Sequence, residues 1–289
     1  MYKVQTLAAA DWPPLLNEIN DPPKKLWLAG QLPDPKKFTY LTVVGSRHFS
    51  QYGAAACRHL IQGLVGQPVV IVSGLALGID TIAHQTALAS DLATLAVPGS
   101  GLDPTVLYPR RNLNLAQKII ETGGGLLSEY EPNFRATPYS FPRRNRLMAG
   151  LSPATLIIEA AERSGTLITA RLALDYNRDV LVVPGEIFKT GSAGPLNLLQ
   201  DGAQPVLSAL NIIDALHLKR PTPTAIKASS PANLTTTEKI IYELLGREAL
   251  AADDLVAKMN LPISEISGAL SSLEIKGLVT DQGGYFYLH

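Results

Sequence analysis

Six short apolar runs punctuate the chain between residues 40 and 185: YLTVVG from Tyr40, PVVIVSG from Pro68, LATLAVPG from Leu92, GGGLLSEY from Gly123, ATLIIEA from Ala154 and DVLVVPG from Asp179. They lack the polar alternation of a half-exposed strand and read as strands buried on both faces, the mark of a parallel sheet. Helical spacing of apolar residues begins at about Tyr52, recurs from Asp80 to Ser90, and returns in LITARLALDYN after Thr166. Buried strands alternating with helices predict an α/β fold: a doubly wound, mostly parallel sheet with helices on both faces.

The pattern changes at both ends. Residues 1–37 form a Pro-containing lead, with DWPPLLNEINDPPKKLWLAG inside it, that reads as irregular and too short to be a domain. Residues 38–216 hold the sheet. Residues 217–233 (HLKRPTPTAIKASSPAN) lose the apolar period and read as a linker. Residues 234–289 give three helical stretches, TTTEKIIYELLG, DDLVAKM and PISEISGALSSLEIKGLV, then a hairpin pattern turning at Gly283-Gly284, which is the order of a winged helix.

Several strands run into small residues: Gly45-Ser46-Arg47, Ser73-Gly74, Pro98-Gly99-Ser100-Gly101 and Pro184-Gly185. In open α/β sheets ligands bind at the carboxyl ends of the strands, so these turns are expected on one functional rim. The richest stretch is FPRRNRLMAGLSPATLIIEAAERSGTLITA, from Phe141 to Ala170. Ser164, Gly165 and Thr166 form a compact turn at a helix start, where unpaired N–H groups and the helix dipole attract an anion. Arg143, Arg144 and Arg146 precede that turn, with no acid between Pro132 and Pro153. Guanidinium groups suit bidentate recognition of phosphate oxygens. Phe141, beside Asn145 and the arginines, and Tyr139 offer faces on which bases could stack, or simply pack.

In SGLALGIDTIAH, Asp80 stands at a helix start and is expected to cap it, with His84 one turn later in a structural role. Arg110 and Arg111 of YPRRN extend the basic surface or merely flank a helix. Glu129 and Glu159 lie near strand ends, where a pair of acids could support hydrolysis at a glycosidic bond. No GxxxxGK[ST] loop occurs, and no strand-linked GxGxxG with a distant acid, which disfavours ATP hydrolysis and nicotinamide chemistry.

Charge narrows the picture further. The chain has 25 basic and 25 acidic residues, so any anion-binding surface must be local. From Thr235 to His289 there are four Lys/Arg against eight Asp/Glu, which leaves the excess of cations in the larger part. The one cysteine, Cys57, lies in a helical stretch and reads as a buried thiol, with no disulfide framework and no cysteine-based metal site. No apolar run approaches membrane-spanning length, which predicts a cytoplasmic protein with no membrane partner.

The order VVGSR, SGLALGIDTIAH, PGSGLDPTVLYPRRN, LLSEYEPN, FPRRNRLMAGLS, EAAERSGTLITA and VVPG…GPLNLLQDGA closely resembles the DNA processing protein A (DprA/Smf) family, from about Trp12 to Ala203. The resemblance implies an extended Rossmann-like domain, often followed by a winged helix. It also implies a homodimer that binds single-stranded DNA and loads RecA in natural transformation and recombination, with no cofactor, no metal and no catalytic residue. Carried over by motif, Gly45, Ser46, Arg47, Ser73, Gly74, Phe141, Arg143, Arg144, Asn145, Arg146, Ser164, Gly165 and Thr166 would line the DNA site. Where the family usually has Arg or Lys after SGLA, this chain has Leu77.

Two rival readings remain. A nucleotide-processing hydrolase similar to the LOG-type phosphoribohydrolases would carry a catalytic Glu on the helix after its glycine-threonine turn, and SGTLITARLALD has none. A sequence reader acting through the winged helix would need cations on its third helix, which offers Lys276 against Glu265 and Glu274.

Overall fold

All six apolar runs lie in one nine-stranded sheet. The computed structural model describes residues 2–220, 234–246, 250–282 and 284–288. The chain divides into two compact units, one ending at Arg220 and the other lying beyond it. Most of the expected linker, 221–233, and Gly283 of the expected hairpin turn lie outside the described residues.

In chain order the first unit comprises β1 (Val4–Leu7), β2 (Leu26–Gly30), β3 (Thr39–Val44), α1 (Gln51–Gln62), β4 (Val69–Ser73), α2 (Ile79–Ala89), β5 (Ala93–Ala96), α3 (Leu113–Glu121) and β6 (Gly125–Ser128). It continues through α4 (Ser140–Leu151), β7 (Ala154–Ile157), α5 (Gly165–Asp175), β8 (Asp179–Val182), α6 (Ala193–Gln200), β9 (Gln204–Pro205) and α7 (Ala209–Ala215). The strand order is β1-β2-β6-β5-β4-β3-β7-β8-β9. Every pairing from β6 to β9 is parallel, and β1 and β2 add an antiparallel edge.

Successive residues of a strand point to opposite faces, which here builds two cores. Leu41 and Val43 pack into one with Cys57, Leu60 and Ile61 of α1, while Tyr40 and Val44 enter the other with Leu147, Met148 and Leu151 of α4. Cys57 is fully buried, and burial pushes its thiol up to about 12, so it is an inert core residue.

The lead, expected to be irregular, supplies β1 and β2. Its prolines break the apolar pattern, and β1 is only half covered, so the sheet pairing carries no clear sequence period. Leu16 and Ile19 of the lead close over Gly150 on α4, where a Cβ would collide with Ile19.

The second unit contains α8 (Thr236–Leu245), β10 (Leu250–Ala251), α9 (Ala252–Met259), α10 (Ile263–Ile275), β11 (Val279–Gln282) and β12 (Tyr285–Leu288). Thr235 and Glu238 form a reciprocal capping box that starts α8. The three strands pair in the order β10-β12-β11 beside a core that includes Ile241, Leu255, Ile266 and Leu270.

Candidate functional site

From β3 the chain adds β4, β5 and β6 on one side and β7, β8 and β9 on the other, so the winding direction reverses between β3 and β7. The turns leaving the parallel strands there form the expected rim. Two of its backbone positions require glycine. Gly78 has φ +90° and sits against the Ser46 carbonyl and Arg47, and Gly74 would drive a Cβ into the Arg144 guanidinium.

The turn after β4 is held from both sides. The carboxylate of Asp80 accepts hydrogen bonds from the N–H groups of Gly74 (3.1 Å) and Ala76 (3.3 Å). Contrary to the expectation from sequence, Asp80 does not cap its own helix: its carboxylate fills the backbone nest that precedes it. Asn112 donates from Nδ2 to the carbonyls of Leu75 (2.8 Å) and Ala76 (3.3 Å). Burial raises the Asp80 pKa, while Arg144 and the two N–H donors oppose that rise. His84, expected in a structural role, faces Thr94. The Thr94 hydroxyl donates to the Ile71 carbonyl, so it accepts from Nδ1 of His84 at 2.7 Å, and burial lowers the imidazole pKa to about 3.

The expected arginine cluster opens α4 and is divided by the helix. Arg143 is exposed, whereas Arg144 and Arg146 are each 5 % exposed. Arg144 donates through Nη1 to the carbonyls of Gly74 (2.5 Å) and Val97, and through Nε to Asn145 (3.1 Å). Its burial lowers its pKa to about 10, partly offset by Asp80, so it stays charged at neutral pH. Arg146 donates to Glu129 and to the Asp21 carbonyl (2.8 Å), and its Nε lies 3.3 Å from the Asp21 carboxylate. The expectation of three cations facing one strand is thus corrected: helical geometry turns two of them inward, where acids from outside the local sequence window meet them.

A pocket on the rim is lined by Arg47, Gly74, Ala76, Leu77, Tyr108, Pro109, Phe141 and Arg144. The exposed Arg47 guanidinium sits 5.5 Å above the Phe141 ring, and Tyr108 packs against the same ring at 5.7 Å. Leu77, at the position that is usually basic in the resembled family, stands on the pocket wall and is 38 % exposed. Tyr108 and Pro109 escaped the sequence reading. Their one signal is an aromatic-proline pair beside the arginines of YPRRN.

The remaining predicted residues support this arrangement or flank it. Ser73 is buried and donates to the Val43 carbonyl (2.7 Å), tying β4 to β3. Ser46 exchanges short-range hydrogen bonds with His48. Asn145 links the pocket to the α5 turn, since its amide donates to the Gly165 carbonyl (3.3 Å) while its oxygen holds Arg144. Ser164 caps α5 by accepting from the Thr166 N–H (3.2 Å), Thr166 is buried, and Gly165 is exposed with no heavy atom within 4 Å of a Cβ built there.

The other rim acid, Glu159, is buried against the start of α1, accepting from Ser50 N–H (2.8 Å) and the Ser50 hydroxyl (2.5 Å). Among the described residues no cluster of three or more His, Cys, Asp or Glu could hold a metal ion, and no helix is long and apolar enough to cross a membrane.

Residues 3–217 match the family described as DNA recombination-mediator protein A, and residues 225–285 match the DprA winged helix domain. Protein Smf of Escherichia coli K12 is 36% identical over 283 residues, covering 96% of this chain and 75% of its own length. DNA processing protein DprA of Streptococcus pneumoniae R6 is 44% identical over 198 residues, 68% of each chain. The X-ray structure of DprA from S. pneumoniae superposes with a TM-score of 0.68 at 40% identity over 76% of both chains. The Helicobacter pylori DprA structure, described for its single-stranded DNA binding mode, gives 0.67 at 33% identity, covering 75% of this chain and 96% of that one. The first unit is therefore an extended Rossmann-like domain, the second a winged helix, and the chain belongs to the DNA recombination-mediator protein A (DprA/Smf) family.

Proposed function

We propose that this chain binds single-stranded DNA at the Arg47–Phe141 pocket, leaves it intact, and presents it to RecA during DNA uptake and recombination in the cytoplasm. The observation that carries the reading is the guanidinium of Arg47 poised over the Phe141 ring at an open rim of strand ends. An aromatic face for a base and a cation for its phosphate are the two elements of sequence-tolerant single-strand binding. Arg47 and Arg143 are the phosphate contacts in this reading. Arg144 and Asn145 are positioning residues that fix the pocket floor, and Arg146 anchors α4 to the lead.

The non-enzymatic part of the reading rests on the acids. Asp80 and Glu159 already accept from internal donors, and Glu129 faces Arg146 and Arg143, which leaves none of the three arranged as an acid–base pair. A homodimer fits the resemblance and is the commonest symmetric state. Two pockets holding one strand would add avidity through effective concentration.

The test is titration of fluorescent oligonucleotides, single- and double-stranded, across a salt series. Single strands should bind more tightly, with affinity falling steeply as salt rises. Equal affinity for duplex and single strand at moderate salt would sink the reading. Light scattering with and without DNA, and RecA filament assembly on coated strands, test the dimer and the hand-over.

A further inference from the structure

A cavity of about 630 Å³ lies between the start of α4, α5 and the lead. It is distinct from the Arg47–Phe141 pocket, because helical spacing sends Phe141 and Arg144 to one side of the α4 start and Pro142, Arg143 and Arg146 to the other. Its walls are of two kinds. Pro142, Ile168 and Leu172 give it an apolar side; on its exposed side Lys24, Lys25 and Arg143 outnumber the acid Asp21, which pairs with Arg146, and Lys25 also reaches Glu131 at 3.5 Å.

Glu129 also lines it, with a side chain 6% exposed. One carboxylate oxygen, Oε2, accepts from Arg146. The other, Oε1, pairs with Nε of Arg143 at 3.4 Å, so the carboxylate is shared between two guanidinium groups. Apolar walls and outlying cations together match a nucleotide. Its base has flat apolar faces and its phosphate is anionic.

We propose that this cavity is a second subsite for the same DNA strand, taking one unstacked base beyond the base at Phe141. The proposal rests on the strand-binding reading of the first pocket. Phe141 and Pro142 are adjacent on α4, so a strand lying over Phe141 meets Arg143 and then the cavity. The base lies against Ile168 and Pro142, and Lys24 faces the following phosphate.

The experiment compares wild type with Lys24→Ala and Ile168→Glu, both at exposed positions, with the unfolding midpoint of each variant checked first. Each is titrated by fluorescence anisotropy with a short single strand that fills the first pocket, with strands lengthened one nucleotide at a time, and with an abasic unit at each added position. In wild type, one added nucleotide should tighten binding by roughly tenfold, the size of one stacked base. An abasic unit there should remove most of that gain. Ile168→Glu and Lys24→Ala should cut the gain to about threefold or less while leaving the short strand unaffected.

A gain of wild-type size in both variants, or one indifferent to the abasic unit, overturns the subsite. A wild type that binds the short strand without any base-dependent gain overturns the subsite alone. A wild type that binds no single strand overturns the reading on which it rests. Protection of the cavity by free dAMP at the same affinity as by the longer strand would mark it as a mononucleotide site and likewise overturn the proposal.

Discussion

The start of α4 and the third helix of the winged-helix unit make opposite use of charge. At α4 buried Arg146 meets Glu129 and Asp21, acids brought from elsewhere in the fold, the charge of Asp80 favours buried Arg144, and Arg143 shares Glu129 at 3.4 Å while staying exposed, as Arg47 does. On α10 the charges exposed to solvent are mainly the acids Glu265 and Glu274, and Lys276 at its end closes onto Glu238 at 2.6 Å. What a helix start offers an anion therefore depends on which charges the fold already neutralises, and a count of cations along a helix misses it.

The largest effect should come from breaking the buried side of this comparison. Arg144→Ala would remove the charge that offsets burial at Asp80 and the donor to the Gly74 and Val97 carbonyls, and each buried group left without its partner costs about 1–3 kcal/mol. Thermal or urea unfolding should show the drop, and Asp80→Asn combined with Arg144→Ala should recover part of it. If the single variant is as stable as wild type, the pair is not what holds the pocket floor.

Next come the exposed residues. Arg47→Ala and Phe141→Ala should each weaken single-strand binding by about 1–3 kcal/mol with little change in unfolding midpoint. Arg47→Ala should also flatten the salt dependence by about 0.7 in the logarithmic slope, the value for one phosphate contact on a single strand. Phe141→Ala should leave that slope unchanged. An identical slope change in the two variants would mean that the cation and the ring are not playing separate roles.

A gain tests the same pocket from the other direction. Leu77 stands on its wall, so Leu77→Arg adds a cation within reach of the strand at Arg47 and should tighten binding by about 1 kcal/mol at low salt. An unchanged affinity would place position 77 off the path of the strand.

Much of the first unit was legible because buried parallel strands write themselves as continuous apolar runs, and the turns that leave them are marked by glycine. The divided fate of Arg143, Arg144 and Arg146 was not. Their partners Glu129, Asp21 and Asp80 lie far away or just outside the acid-free window, and sequence spacing says nothing about a contact across 125 residues such as Arg146 to Asp21. The lead was misread for a related reason: β2 pairs with β6, almost a hundred residues on, and only that pairing makes it a strand. The winged helix was easier, because its capping box and hairpin are local signals.

Acidity separates the units again. Hydrogen bonds from Lys276 and Ser272 and from the Thr235 backbone lower the Glu238 pKa from 4.5 to about 2. A carboxylate whose folded pKa is depressed stabilises above its unfolded pKa, and the contribution is lost as pH falls through the folded one. The winged-helix unit should therefore lose stability between about pH 4.5 and 2, and Glu238→Gln should flatten that part of its acid titration as followed by amide signals of α8.

The smallest expected change is the one that sharpens the comparison most. A chain ending at Arg220 retains the whole first unit, including Arg47, Phe141 and Arg143, and loses a segment that carries twice as many acids as bases from Thr235 onward. Counterion release from phosphates dominates affinity for DNA, so removing a net acidic module should leave single-strand affinity within about twofold and the salt slope unaltered. A modest tightening would be consistent with relief of like-charge repulsion. A loss of tenfold or more, or a slope shallower by one contact, would show that the winged helix supplies a phosphate contact despite its acids, and the contrast between α4 and α10 would then have to be redrawn around whichever residue of the second unit supplies it.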